Sequence, residues 1–433
     1  MRRIKMIALI SVLLIAFCSC GTSQNATSGM IKADAMDSPY GNNVSASLEQ
    51  VLKSTGNVVV YSVSEQISKR DTDFVEYFEK YYNGKVQFEY CPSEDMLSKI
   101  ITDSAAGLSP DVVTLNEYNW PNSGTKGFVY SLSQLEQQGV QGLAHPELMR
   151  YRALTEENFS YNGNCYSISV SSCVPIIAAI NVDLFDRCGV QSPQTYNDDG
   201  SWNFDTFLAC CSGIIRGAEN DDKIKSFYAA DMGWFMTAND AAFVGNNDLL
   251  ESQIDSDNSR LTLAYLRQLY HTNSISSDAQ SFKKGNTAMC LCRADEFVGV
   301  VDKLKFKWDI VPFPYGNRNT SGSTPGIVTG YGISVNSENP QGAVNYIIAR
   351  NMFDNFYLHN NNGAVWEKEY IVYSTEQLNT IVPNIWRTRN CLFKGVGDLS
   401  DEYSRFWSEF SEEGTSLDNL LSEYDNKIKN NCR

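Results

Sequence analysis

Residues Tyr161 to Gly189 read YNGNCYSISVSSCVPIIAAINVDLFDRCG, and the fold of the 433-residue chain turns on this stretch. Asn162 and Gly163 suit a tight turn, because both tolerate a positive φ. Tyr166, Ile168 and Val170 then alternate with Cys165, Ser167 and Ser169, the period of a half-buried strand. From Pro175 to Ile180 the alternation gives way to an unbroken apolar run, PIIAAI, the pattern of a strand covered on both faces. Asn181 is placed to cap a short helix carrying Leu184, Phe185 and Cys188, and Gly189 to close it. A segment that starts half exposed, crosses Ser171 and Ser172 and ends enclosed is expected to leave one sheet and enter another. Such a segment passes between two lobes.

Upstream, Val58 to Tyr61 reads as a short buried strand, and Phe74, Phe78, Tyr81 and Tyr82 share one face of a helix. Val86, Phe88 and Tyr90 alternate as a second strand. Ser93 is placed to cap the next helix, with Glu94 and Asp95 in its first turn and Leu97, Ile100, Ile101 and Ala105 inward. Asp111 to Leu115 is a third strand. Strands alternating with helices imply a parallel sheet with right-handed crossovers. In such open sheets ligands bind beyond the carboxyl ends of the strands. Here those ends are Ser62-Val63-Ser64-Glu65 and Asn116-Glu117-Tyr118-Asn119-Trp120. Downstream, Ser201 to Asp205 begins a helix and Gly330 to Val335 reads as a strand returning to the first lobe. The Asp255-Ser256-Asp257 run has the look of a calcium loop. Arg260 stands where that loop needs glycine and Leu266 where it needs a bidentate glutamate, so it is a helix start.

The chain carries a formal charge of −16, which argues against nucleic acid and against docking on anionic lipid headgroups. Arg2, Arg3 and Lys5 precede an apolar run from Ile7 to Phe17 that is too short to span a bilayer as an ordinary helix. The run ends Phe17-Cys18-Ser19-Cys20-Gly21, the form of a bacterial lipoprotein signal over residues 1–19 with Cys20 as the lipidated residue. Residues 20–55 are rich in Ser, Asn, Ala, Gly and Thr with Tyr40 as their one aromatic, and are expected to form a flexible tether. Of the twelve cysteines, the Cys210-Cys211 and Cys290-x-Cys292 pairs lie in apolar patterns without a partner pair at zinc spacing; they read as buried thiols, although a disulfide stays open. The three histidines lie far apart, and no nucleophile elbow, P-loop or dinucleotide-binding fingerprint is present. A pair of catalytic carboxylates would be invisible among 51 acids. No metal and no cofactor are expected.

Tyr161-Asn162-Gly163, Tyr166 and Ile168, then Asn181, Asp183, Leu184, Phe185, Gly189, Val190 and Pro193, resemble the pattern of the sugar-binding solute-binding proteins of bacterial ABC importers, the family of maltose-binding protein. Phe78-Glu79-Lys80, Gly84-Lys85-Val86, Pro92-Ser93-Glu94-Asp95, Lys99, Ala105-Ala106-Gly107 and Pro110 to Val113 are similar to the first lobe of that family. Trp202, Asp205 and Phe207, then Phe282, Gly285, Ala288 and Met289, then Trp308 to Pro314, extend the likeness to about residue 350. The resemblance implies an α/β, two-lobed periplasmic-binding-protein fold of class II, each lobe a mainly parallel sheet flanked by helices. Lobe 1 would comprise residues 56–164 plus 313–350, and lobe 2 residues 165–312 plus 351–433, with a third crossing near Asn351 to His359. It implies a monomer, lipid-anchored on the outer face of the cell membrane, that captures a small solute in the interlobe cleft and hands it to permease subunits.

A sugar site needs flat rings for the C–H face and carboxylates or amides for the hydroxyl rim. The candidates are Tyr118, Trp120, Trp234, Tyr331 and Trp366 as rings, with Glu65, Asn116, Glu117, Arg293 and Asp295 as polar partners. Each has a plainer reading: the tryptophans as packing residues, the acids as solvated loop residues. The chain departs from the family by carrying Ser62 to Glu65 after its first strand and Arg293 to Phe297 after the Ala288-Met289 strand, where members often carry Trp. That favours charge near the cleft. An oligosaccharide is the leading solute, a peptide or polyamine the alternative within binding, and a surface hydrolase or lyase the alternative outside it.

Overall fold

The computed structural model describes residues 39–41, 44–218, 221–245, 250–272, 274–360, 373–391, 393–397, 399–412 and 414–432. Its strands, in chain order, are β1 (Gly56–Ser62), β2 (Gly84–Tyr90), β3 (Val112–Leu115), β4 (Ser160–Tyr161), β5 (Asn164–Cys165), β6 (Ser169–Asn181), β7 (Lys225–Ala229), β8 (Val244–Gly245), β9 (Glu251–Ser252), β10 (Thr287–Arg293), β11 (Trp308–Pro312), β12 (Thr324–Ile333) and β13 (Thr388–Arg389). Nine of them form one hydrogen-bonded path, β2-β1-β3-β12-β6-β10-β7, with β11 on β6 and β13 on β12.

The 13-residue strand β6 joins the two ends of that path. Its first half pairs antiparallel with β12, from Ser169 opposite Tyr331 to Pro175 opposite Gly326. Its second half pairs with β10, from Ile176 opposite Arg293 to Ile180 opposite Met289, and with β11. Pro175 has no N–H to give to a ladder, and it stands where β6 changes neighbours. The backbones come close there: a Cβ on Gly326 would lie 2.5 Å from the Val174 carbonyl oxygen, so only glycine fits. The regular strand starts at Ser169, later than the Tyr166–Val170 alternation suggests. The register of β12 slips at Thr329/Gly330, and Ile168 reaches β12 through a single bond to the Tyr331 carbonyl at 2.8 Å.

Around the first end of the path, β1 pairs parallel with β2 and β3, and helices Lys69–Tyr82, Met96–Ala105 and Pro340–Asn360 accompany it. One core gathers Tyr61, Val113, Leu115, Trp120, Phe159 and Val170. At the other end β7 pairs parallel with β10, and Phe207, Phe227, Phe235, Leu266, Met289 and Phe406 fill a larger core. A third cluster, with Ile177, Phe282, Phe297 and Ile310, covers the opposite face of β6.

Two sequence expectations are corrected. Ser93 does not cap a helix: the helix starts at Met96 behind Asp95, whose side chain makes no capping bond, and residues 93–95 form a turn. The tether does not extend to residue 55. Ser45 caps helix Ala46–Leu52, Leu52 is buried, and Tyr40 packs edge-on against Tyr82 with its hydroxyl donating to the Tyr81 carbonyl at 2.7 Å. A polar segment cannot build its own core, but it can dock Tyr40 on a surface that Tyr81 and Tyr82 already provide, with the Tyr77 and Tyr82 hydroxyls donating to the Pro39 carbonyl. The stretch 351–359, where a third crossing is expected, lies inside a helix. Helix Pro340–Asn360 continues through, with Asn351 bonded to Ser169 Oγ at 2.7 Å and Arg70 bonded to Asp354 at 2.8 Å.

Candidate ligand site

The carboxyl end of β3 is shaped by two asparagines. Asn116 Oδ1 accepts from the backbone N–H groups of Tyr118 (2.9 Å) and Asn119 (3.2 Å), while Asn119 Oδ1 accepts from Asn116 N (3.0 Å). Asn119 Nδ2 closes the bracket on the Thr114 carbonyl at 2.8 Å. Asn and Asp side chains mimic backbone turns in this way, so the loop is held without regular structure. Behind it, Trp120 packs on Phe159 and Tyr166.

A segment from the far end of the chain lies on this loop. Asn122 N donates to the Gly395 carbonyl (3.1 Å), and Asn122 exchanges bonds with the backbone of Gly397 at 2.8 and 2.9 Å. A Cβ on Gly395 would sit 1.8 Å from the Trp120 carbonyl oxygen, so the contact needs glycine. This brings Lys394 Nζ to 3.3 Å from Glu117 Oε1, and to 4.9 and 5.1 Å from the ring centres of Tyr118 and Tyr403. The Tyr403 hydroxyl donates to Asp231 Oδ1, which also accepts from Gly233 N at 2.7 Å. Asp231 follows the carboxyl end of β7, and Arg293 closes the carboxyl end of parallel β10. There Arg293 grips Asp295 through two bonds of 3.0 and 2.5 Å, with Glu296 at 3.6 Å.

Burial pushes the Glu117 carboxyl above its ordinary value, Asp231 pushes it further, and the attraction of Lys394 and Arg293 only partly offsets this. Burial alone would lower the Lys394 ammonium, but Glu117, Asp231 and Tyr118 outweigh it and hold the group charged. Among the described residues no group of three or more His, Cys, Asp or Glu is placed to hold a metal ion, and all ten described cysteines are free thiols.

Of the residues singled out from the sequence, the structure brings Asn116, Glu117 and Tyr118 into this cluster, with Arg293 near enough to act on Glu117. Asp295 is beside Arg293. Glu65 is exposed on the loop after β1. Trp120 is 1% exposed and Trp234 is buried in the larger core. Tyr331 lies in β12 against Tyr346. Trp366 and the lipidation candidate Cys20 fall outside the described residues. Asp231, Lys394 and Tyr403 were missed by sequence reasoning. Asp231 sits three places before Trp234 and could have been taken with it; Lys394 and Tyr403 lie beyond the stretch that carries any pattern.

Residues 73–350 match the bacterial extracellular solute-binding protein family, and the chain belongs to it. Members bind solutes and are not enzymes. No curated protein matches the chain by sequence. Among solved structures, an ABC substrate-binding protein from Listeria monocytogenes in complex with cycloalternan is similar, with a TM-score of 0.63 at 20% identity over 87% of this chain and 98% of that one. The sugar-binding protein MalE from Xanthomonas citri gives 0.65 at 13% identity, over 86% and 96%. UgpB from Mycobacterium tuberculosis in complex with glycerophosphocholine gives 0.60 at 14%, over 87% and 97%. The fold is therefore the α/β periplasmic-binding-protein fold.

Proposed function

We propose that this protein captures an oligosaccharide between two lobes and delivers it to the membrane subunits of an ABC importer, while a lipid on Cys20 holds it to the outer face of the cell membrane. The lobes are the two ends of the sheet path, joined through β6 and β12, with residues 351–360 assigned to the first. One observation carries the reading: Glu117 and Tyr118 from the carboxyl end of β3 and Asp231 from that of β7 converge with Tyr403 of helix Ser400–Ser411. Flat rings and acceptor oxygens are what a sugar face and its hydroxyls require. The sugar-bound structures among the similar proteins support the same class, and the glycerophosphocholine complex marks how far the fold's solutes range. Closure works by population shift: a solute that touches both lobes only when they are closed favours that state, which the permease recognises.

The test is a thermal-shift panel of neutral oligosaccharides, amino-sugar oligosaccharides, peptides and polyamines on the purified protein. A ligand at a hundred times its Kd adds about 2.7 kcal/mol of stability, enough to raise the melting point measurably. A rise with one sugar class is expected; a rise with peptides alone would replace the sugar assignment. Labelling with radioactive palmitate, lost in Cys20→Ala, checks the anchor.

A further inference from the structure

We propose that Tyr118, Tyr403, Glu117 and Asp231 form a box for a protonated amine, that the chain fills this box with its own Lys394, and that the solute carries an ammonium group which takes Lys394's place. This rests on the reading of the cluster as the solute site and names the chemistry that site selects.

The first observation is geometric. An ammonium within about 6 Å of an aromatic ring centre is attracted by the ring's negative face. Lys394 Nζ meets that condition with two rings at once, at 4.9 and 5.1 Å, and has the Glu117 carboxylate at 3.3 Å. Its side chain is 19% exposed and that of Glu117 20%, so water screens the charges only partly. Two rings and a carboxylate around one nitrogen make a cage for a cation; a neutral hydroxyl would gain little from the rings.

The second is charge balance. Arg293, the other cation nearby, is already committed to Asp295 and Glu296. Remove the Lys394 ammonium and Glu117 faces Asp231, with Arg293 as the cation among the described residues that still acts on it. The emptied box then selects positive charge.

The third is that the walls stand without their occupant. Tyr403 is fixed by Asp231, and Asp231 by Gly233 N. The backbone of Tyr118, from which its ring projects, is fixed through its N–H on Asn116 Oδ1. Among the described residues the Lys394 ammonium donates one hydrogen bond, to Glu117, although it has three donors. The Lys394 backbone is pinned by the tight fit of Gly395 on Trp120, while its stem of four carbons is a flexible chain of rotatable bonds. Only the side chain has to leave. An oligosaccharide with an amino sugar would meet both demands, its nitrogen in the box and its ring faces on Tyr118 and Tyr403.

A plain internal salt bridge predicts that deleting Lys394 only weakens the protein. The box predicts that a free amine restores what was lost. The experiment therefore measures melting of the wild type and Lys394→Ala against n-butylammonium chloride, with potassium chloride at equal ionic strength as control. Lys394→Met keeps the packing of the stem and vacates only the place of the nitrogen, so it is measured with ammonium chloride in place of n-butylammonium and serves if the alanine variant does not fold. A saturable rise in either variant, absent in the wild type and abolished by a second change Glu117→Gln, is expected. Amino-sugar oligosaccharides should also bind Lys394→Met at least tenfold tighter than wild type. No rise above the salt control in a folded variant overturns the proposal. The solute-site reading is scored separately, by whether neutral oligosaccharides protect the wild type.

Discussion

The loops after β1 and β3 occupy equivalent places, at the carboxyl ends of two adjacent parallel strands, and they are built in opposite ways. After β3, Asn116 and Asn119 satisfy the turn from within, Gly395 seals it from outside, and Asn116, Asn119 and Trp120 are buried. After β1, bonds are local and made by serine, Ser62 Oγ accepting from Ser64 N at 3.1 Å and Ser64 Oγ donating to the Gln66 carbonyl at 3.0 Å. Val63 is 38% and Ile67 63% exposed there. The difference separates a finished wall from an unfinished one. The β3 loop is preorganised; the β1 loop presents apolar side chains and Glu65 to whatever arrives.

The largest effect should come from breaking the seal. Gly395→Ala puts a methyl group into the Trp120 carbonyl, and overpacking of this kind costs about 2–3 kcal/mol, read as a lower urea midpoint together with loss of solute binding. Next comes Asn116→Ala, which leaves the N–H of Tyr118 without its acceptor and that of Asn119 with the Asn116 backbone carbonyl at 3.3 Å. About 1–2 kcal/mol is expected in the same measurement, with weaker solute binding because Tyr118 is no longer held.

A smaller effect is expected at a second docked segment. Buried His145 accepts from Glu147 N through Nδ1 and donates through Nε2 to the Tyr40 carbonyl at 3.0 Å, so it is neutral. Burial lowers its pKa from the ordinary 6.5. In the window below 6.5 the unfolded chain takes the proton and the folded one does not. The stabilisation is therefore complete above 6.5 and is lost as pH falls. The melting point should drop between pH 7 and 5, with a shallower slope in His145→Gln. Smallest in stability is the open loop: Glu65→Ala and Ile67→Ser should each stay within about 0.5 kcal/mol of wild type. Titration calorimetry should still show weaker solute binding in both; unchanged affinity would mean that the β1 loop is no part of the site.

How much of this was legible follows the range of the interactions. The course of β6 could be read because PIIAAI declares a strand covered on both faces within six residues, and Asn181 and Gly189 do cap the next helix. Asn116 to Trp120 could be placed beyond a strand end for the same local reason. Which way Trp120 faces could not, because Phe159 and Tyr166 decide it. Lys394 meets Glu117 across 277 positions of sequence, in a stretch without periodicity, and nothing local announces the pairing. The docking of Tyr40 was hidden likewise, since its partners are the carbonyl of Tyr81 and the ring of Tyr82.

Strand β6 also has a thermodynamic consequence. Its residues Ser169 to Pro175 complete one half of the sheet and Ile176 to Asn181 the other, so melting it exposes both halves to solvent at once. Neither half keeps its core when this strand leaves, since Val170 and Cys173 belong to one cluster and Ile176, Ala178 and Ile180 to another. A two-part architecture would ordinarily unfold in two steps; here heat should release both parts in a single calorimetric transition, whose van't Hoff and calorimetric enthalpies agree.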